Sequence, residues 1–184
     1  MKTKTFIILA FLSLTIISCK KETEKTGEEV TQQAEVNIKN FRITLNAVVK
    51  KDDSFQIYYN EDNNPLTPFV EEKSLYVEFK GAESAQDIVF NLPENVFPTQ
   101  LRFDFGTNKE QSEIVINDFK MEYQGKTFDT KGPAFFNYFR PEETFVKVDK
   151  IGGKVIPFAD KNGNYDPMFY SLETLDKEIM KLAR

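Results

Sequence analysis

Short runs in which apolar and polar residues alternate fill most of the chain after residue 40. Residues 55–59 (FQIYY) and 101–105 (LRFDF) are two of several such runs. Successive side chains of a strand point to opposite faces of a sheet, so a period of two predicts a half-buried strand. Turn-forming segments such as residues 60–65 (NEDNNP) and 124–125 (QG) separate the runs. Many short strands at regular spacing predict a mainly β fold, namely an antiparallel β-sandwich.

The C-terminal segment departs from this pattern and predicts an α-helix over residues 172–183. Its large apolar residues recur at spacings of three and four, which places them on one stripe of a helix. The stripe consists of Leu172, Leu175, Ile179 and Leu182. Ser171 stands immediately before the segment, and serine is a favoured N-cap residue. The sequence therefore predicts a β-sandwich that ends in a helix.

Composition limits the functional classes. The chain holds 18 Phe and 7 Tyr, which is enough aromatic material for the core of one domain. Its net charge of −5 argues against binding nucleic acid, whose phosphates favour a basic surface. The chain has no histidine, which excludes His-based triads and His-containing zinc sites.

Residues 1–18 have the composition of a secretory signal peptide. Lys2 and Lys4 precede an apolar run over residues 6–17, and the small residue Ser18 follows. The run is shorter than the roughly 20 apolar residues that a membrane-spanning helix needs. The N-terminus therefore predicts export.

Residues 16–19 (IISC) resemble the lipobox of bacterial lipoproteins, and they contain the one cysteine of the chain. This resemblance implies that a diacylglycerol is attached to the sulfur of Cys19 and that the signal is cleaved just before it. The alternative is an ordinary signal peptide beside an unrelated cysteine. A lipid-anchored protein of the bacterial cell envelope is expected, at the outer membrane, with the periplasmic or surface side left open. Several acyl chains on one residue give a durable anchor.

The expected domain organisation has three parts. Residues 1–18 form the signal peptide, and residues 19–35 form the lipidated cysteine with a flexible tether. The tether carries no aromatic residue and little apolar surface, so it has little to bury in a core. Residues 36–184 form the β-sandwich domain with its C-terminal helix.

Three stretches occur in an order that resembles the jelly-roll modules appended to bacterial membrane glycosyltransferases. They are residues 53–59 (DSFQIYY), residues 69–74 (FVEEKS), and residues 90–93 (FNLP) followed by 101–106 (LRFDFG). The resemblance implies a jelly-roll-like antiparallel β-sandwich and suggests carbohydrate binding. Phe105 stands where a proline is common, and residues 20–184 hold no apolar stretch long enough for a transmembrane segment. A catalytic role of the fused proteins is therefore not carried over.

The same stretches contain candidate ligand-binding residues. Strand alternation places Gln56 and Tyr58 on the face opposite Phe55, and it places Arg102 and Asp104 away from the core. Aromatic rings cover the apolar faces of sugars, while charged and amide groups bond to their hydroxyls. These four residues are the predicted carbohydrate site. The alternative is a structural ion-pair network in which Tyr58 is half-buried.

Two further segments admit a structural and a functional interpretation. Residues 160–166 (DKNGNYD) space oxygen ligands as a calcium loop does, but Tyr165 occupies the position where an EF-hand needs glycine. A polar turn is the favoured interpretation, and no metal or cofactor is expected. Residues 135–139 (FFNYF) are predicted to fill the core rather than to stack on a ligand.

Three functions remain open at this point. The favoured one is non-catalytic binding of carbohydrate by a lipid-anchored domain. The first alternative is a structural or assembly lipoprotein that binds another envelope protein. The second is a glycan-acting enzyme that uses a pair of carboxylates, since the 29 acidic residues always offer candidates.

Overall fold

The computed structural model describes residues 39–183. The predicted signal peptide, Cys19 and the tether lie outside these described residues. Within them, the chain forms two antiparallel β-sheets that enclose one hydrophobic core, together with one C-terminal α-helix. The predicted fold class, a mainly β antiparallel sandwich with a C-terminal helix, is confirmed.

The larger sheet has six strands. They are β1 (Arg42–Val48), β4 (Gln86–Asn91), β6 (Ile114–Tyr123), β7 (Lys126–Lys131), β9 (Val146–Asp149) and β10 (Lys154–Pro157). The spatial order is β4-β1-β6-β10-β9, and β7 pairs with the C-terminal half of β6. Gln124 and Gly125 have positive φ and form the tight turn between β6 and β7, as their sequence predicts.

The smaller sheet has five strands. They are β2 (Asp53–Asn60), β3 (Ser74–Phe79), β5 (Gln100–Asp104), β8 (Phe139–Pro141) and β11 (Met168–Ser171). Their spatial order is β3-β2-β5-β11-β8, and each pair is antiparallel. The outer face of this sheet carries all four predicted site residues.

The core lies between the two sheets and follows the alternation of the strands. Phe55, Ile57 and Phe103 point inward from the smaller sheet, Phe105 follows directly after β5, and all four are fully buried. The predicted core-filling segment contributes more rings through a 3-10 helix (Gly132–Asn137), where Phe135 stacks on a ring of β8 at 4.5 Å between centroids. Aromatic pairs of this kind add stability beyond the area they bury.

The C-terminal helix, α1, spans Glu173–Leu182. Leu175, Ile179 and Leu182 are buried, as the predicted stripe requires. The prediction that Ser171 caps the helix is wrong, because Ser171 is the last residue of β11 and Leu172 occupies the N-cap position. In residues 39–183, no helix combines the length and the apolar character needed to cross a bilayer.

Candidate functional site

The four predicted site residues lie next to one another on the outer face of the smaller sheet. Strand register places Tyr58 of β2 opposite Arg102 of β5, and Gln56 opposite Asp104. Alternation alone puts all four on this face, since their neighbours Ile57 and Phe103 point into the core. The structure therefore brings the predicted residues together.

Arg102 and Asp104 form a bidentate ion pair along β5. The Arg102 Nε and Nη2 donate to the two carboxylate oxygens of Asp104 at 2.8 and 2.6 Å. The Arg102 guanidinium also lies over the Tyr58 ring, 3.9 Å from its centroid. Burial raises the pKa of the Asp104 carboxyl, and the contact with Arg102 opposes that rise. The pair is a mostly desolvated unit that rests on an aromatic ring.

The connection between β2 and β3 folds back across this face. Its 3-10 helix (Glu71–Lys73) brings the Glu71 carboxylate over the sheet, where it accepts hydrogen bonds from three side chains. The donors are Tyr58 at 2.7 Å, Tyr76 at 3.0 Å and Gln56 at 3.2 Å. These bonds, above all the one from Tyr58, hold the pKa of Glu71 below its ordinary value. Glu71 thus ties the connection to the sheet.

The predicted site residues are largely covered. Gln56, Tyr58 and Asp104 retain only 6, 8 and 9% of their surface. Their polar groups are bonded within the protein, which is the pattern expected of the structural ion-pair network. Their role as direct ligand contacts stays a prediction, and it would require the Glu71 connection to move.

The row of side chains continues across the remaining two strands. Arg102 lies opposite Tyr170 of β11, and Tyr170 lies opposite Arg140 of β8. The Arg140 guanidinium lies 4.6 Å from the centroid of the Tyr170 ring. Tyrosine and arginine therefore alternate across four neighbouring strands, from Tyr58 to Arg140. Arg140 at the end of the row is exposed.

A groove of about 490 Å³ opens beside the exposed end of this row. Its walls carry two aromatic rings, amides and charged groups, contributed by the β2–β3 connection, by β5, β8 and β11, and by the start of α1. The chief lining residues are Asn63, Phe69, Gln100, Arg140, Tyr170, Glu173 and Asp176. The size lies within the range of small-molecule sites. None of the four predicted site residues lines this groove, which lies next to them on the same sheet.

The two carboxylates of the groove have partners within α1 and β11. Asp176 accepts a hydrogen bond from the Ser171 hydroxyl at 2.9 Å, and Glu173 forms an ion pair with Lys177 at 2.8 Å. Burial raises the pKa of Asp176, while the bond from Ser171 opposes the rise. The hydrogen bond from Lys177 lowers the pKa of Glu173. Both groups can accept hydrogen bonds from a ligand with hydroxyl groups.

Sequence reasoning missed the residues that form the groove. Alternation in β11 could have revealed Tyr170, because its neighbour Phe169 is a core residue. Arg140 lies in a strand of three residues, which is too short for a periodic pattern to be seen. Phe69 lies in the connection between β2 and β3, where no periodic pattern indicates which side chains it packs against.

The possible calcium loop forms a turn. Asp160 accepts backbone hydrogen bonds from Asn162 and Asn164, both at 2.8 Å, and Gly163 adopts a positive φ of 80°. The carboxylate of Asp160 is therefore engaged by its own loop. Across residues 39–183, no group of three or more acidic side chains is arranged to hold a metal ion.

Comparison of the chain with protein-family models, with curated proteins and with solved structures gives no match.

Proposed function

We propose that this protein is a lipid-anchored component of the bacterial cell envelope whose β-sandwich binds carbohydrate without catalysis. The single observation that carries the binding function is the groove of about 490 Å³ beside the tyrosine–arginine row. It combines the apolar surface of Phe69 and Tyr170 with amide, guanidinium and carboxylate groups. Sugars present apolar ring faces and many hydroxyls, and this mixture complements both.

The contacts of the groove carboxylates support a non-catalytic role. A glycosidase needs one carboxyl group as a general acid and a second as a nucleophile or base, placed across the scissile bond. Glu173 and Asp176 instead lie one turn apart on α1 and are held by Lys177 and Ser171. Incubation with each bound glycan should therefore release no shorter product.

The anchoring function rests on the lipobox resemblance at residues 16–19. Wild-type protein should incorporate labelled fatty acid and fractionate with membranes. Cys19→Ala should incorporate no label, and it should leave the membrane fraction or stay unprocessed. An unlabelled wild type together with a membrane-bound Cys19→Ala would contradict lipid anchoring.

A glycan array probed with the full chain tests the binding function. For each glycan that binds, Phe69→Ala and Gln100→Ala should weaken affinity by roughly ten-fold, because each removes one groove contact. Phe158→Ala is the matched control, since Phe158 is also half-buried but does not line the groove. Thermal melts of all three variants distinguish a lost ligand contact, which leaves the melting temperature unchanged, from a destabilised fold, which lowers it. A wild type that binds no glycan on the array would refute the proposal.

Binding of another envelope protein is the second candidate. Leu66, at the tip of the β2–β3 connection, is 87% exposed, and Val70 and Tyr76 are exposed nearby in the chain. These residues supply exposed apolar surface, and contiguous apolar surface marks protein–protein interaction sites. Leu66→Asp should abolish co-purification with a protein partner under this hypothesis and should leave glycan binding unchanged.

A further inference from the structure

The two arginines of the tyrosine–arginine row differ in their carboxylate partners. Arg102 has a carboxylate supplied by the chain, because Asp104 lies two residues further along the same strand and on the same face. Arg140 also has an acidic residue two positions away, Glu142. Glu142, however, accepts hydrogen bonds from the backbone and hydroxyl of Thr144, at 3.4 and 2.8 Å. Among residues 39–183, Arg140 forms no ion pair.

The Arg140 guanidinium nevertheless packs against an aromatic ring. One side of it lies over the Tyr170 ring at 4.6 Å, as Arg102 lies over Tyr58 at 3.9 Å. A planar guanidinium fixed on an aromatic face presents its N–H groups in a fork that fits a carboxylate with two parallel hydrogen bonds. Arg140 is exposed at the groove, so a carboxylate from solution can approach it.

The rest of the groove limits what carries this carboxylate. Glu173 and Asp176 line the same groove and would repel a ligand that is anionic throughout. They can accept hydrogen bonds from hydroxyl groups, and Gln100 can both donate and accept. A sugar with one carboxylate and several hydroxyls satisfies both requirements.

We infer that the groove binds uronic-acid-containing glycans, with the uronate carboxylate paired to Arg140 as Asp104 is paired to Arg102. This inference rests on the proposed function and names the substrate class for the same groove. At Arg140 the carboxylate comes from the ligand, whereas at Arg102 it comes from Asp104 of the chain itself. The hydroxyls of the same sugar face Glu173, Asp176 and Gln100.

The test compares each uronide with its own uncharged form. The full chain, solubilised in non-ionic detergent and immobilised, is titrated with oligomers of galacturonate, mannuronate and glucuronate, each beside its carboxyl-methylated form. Methylation keeps the ring and its hydroxyls and removes the charge. At least one acidic oligomer should bind about ten-fold or more tightly than its methylated form, as a charge-assisted bond predicts. Added salt should reduce the difference in affinity between the acidic oligomer and its methylated form.

Variants assign the preference to Arg140. Arg140→Gln should lower the affinity for the acidic oligomer to that for the methylated one. Arg140→Lys should retain only part of the wild-type preference for the acidic oligomer. Lys147→Gln is the matched control, because Lys147 is an exposed cation near the Phe158 ring, on β9 of the other sheet. Its removal changes the net charge equally and should leave the preference intact.

The outcomes separate the two proposals. If neutral glycans bind but acidic and methylated oligomers bind equally, the uronide inference fails and carbohydrate binding stands. If no glycan of either kind binds, both fail. If poly-glutamate binds in an Arg140-dependent manner while every uronide fails to bind, Arg140 recognises an acidic peptide, and the glycan assignment is overturned.

Discussion

Replacing Asp104 by alanine tests how much the unfolding free energy depends on the ion pair beneath the β2–β3 connection. The Asp104→Ala variant leaves the Arg102 guanidinium on the outer face of β5 without its bidentate carboxylate partner. The side chains of Arg102 and Asp104 are only 18 and 12% exposed. Water can therefore replace the lost carboxylate only in part.

The expected loss follows from this partial burial. Breaking a buried ion pair by removing one partner costs about 3–5 kcal/mol of unfolding free energy. Arg102 keeps its contact with the Tyr58 ring and reaches some solvent, so the lower end applies, about 3 kcal/mol. Removing both partners leaves no unpaired charge. Arg102→Ala/Asp104→Ala should therefore be less destabilised than the sum of the two single variants.

Urea denaturation followed by circular dichroism measures these losses, since the chain has no tryptophan. Lys80→Ala is the control, because Lys80 and Asp52 form an ion pair with side chains that are 89 and 61% exposed. Exposed pairs contribute little to stability. Equal midpoints for Asp104→Ala and Lys80→Ala would show that the Arg102–Asp104 pair is not effectively buried.

Three further predictions concern a turn, the helix and acid pH. Gly106→Ala should be more destabilising than Gly125→Ala. Both glycines have positive φ, and an alanine in that conformation costs about 1–2 kcal/mol. Only at Gly106 would the added Cβ also collide with the Asp53 carboxylate. Equal losses in urea melts would disprove this steric contribution. Ile179→Ala, on the fully buried side of α1, should cost about 2–5 kcal/mol in the same assay, and a near-zero loss would mean that the helix is not packed on the core. The pKa of Glu71 in the folded state lies below its ordinary value of 4.5. The contribution of its carboxylate to stability is therefore present above pH 4.5 and is lost as the pH falls through the folded-state pKa. Glu71→Gln should flatten that part of a curve of unfolding free energy against pH, and an unchanged curve would contradict this prediction.

The core and the outer face of the smaller sheet could be predicted from the sequence because strand alternation is a local property. The period of two in residues 55–59 and 101–105 assigns each side chain to one face without any knowledge of the partner strand. Gln56, Tyr58, Arg102 and Asp104 were placed on one face in this way, and the structure brings them into contact. The apolar stripe of α1 was read from its 3.6-residue period by the same logic.

The sequence by itself thus determined the sandwich, the helix and the assignment of side chains to each face, and it predicts the anchor at Cys19. Only the tertiary structure decided which polar residues of the outer face are covered and which remain exposed. Glu71 lies 13 residues after Tyr58, in the short 3-10 helix between β2 and β3, and it accepts hydrogen bonds from two of the residues that alternation identified, Tyr58 and Gln56. Arg140 reaches Tyr170 only because β8 pairs with β11, strands separated by a long stretch of chain. Contacts of this kind depend on strand order and loop path, which are set by the packing of the whole core and leave no periodic trace in the residues that make them.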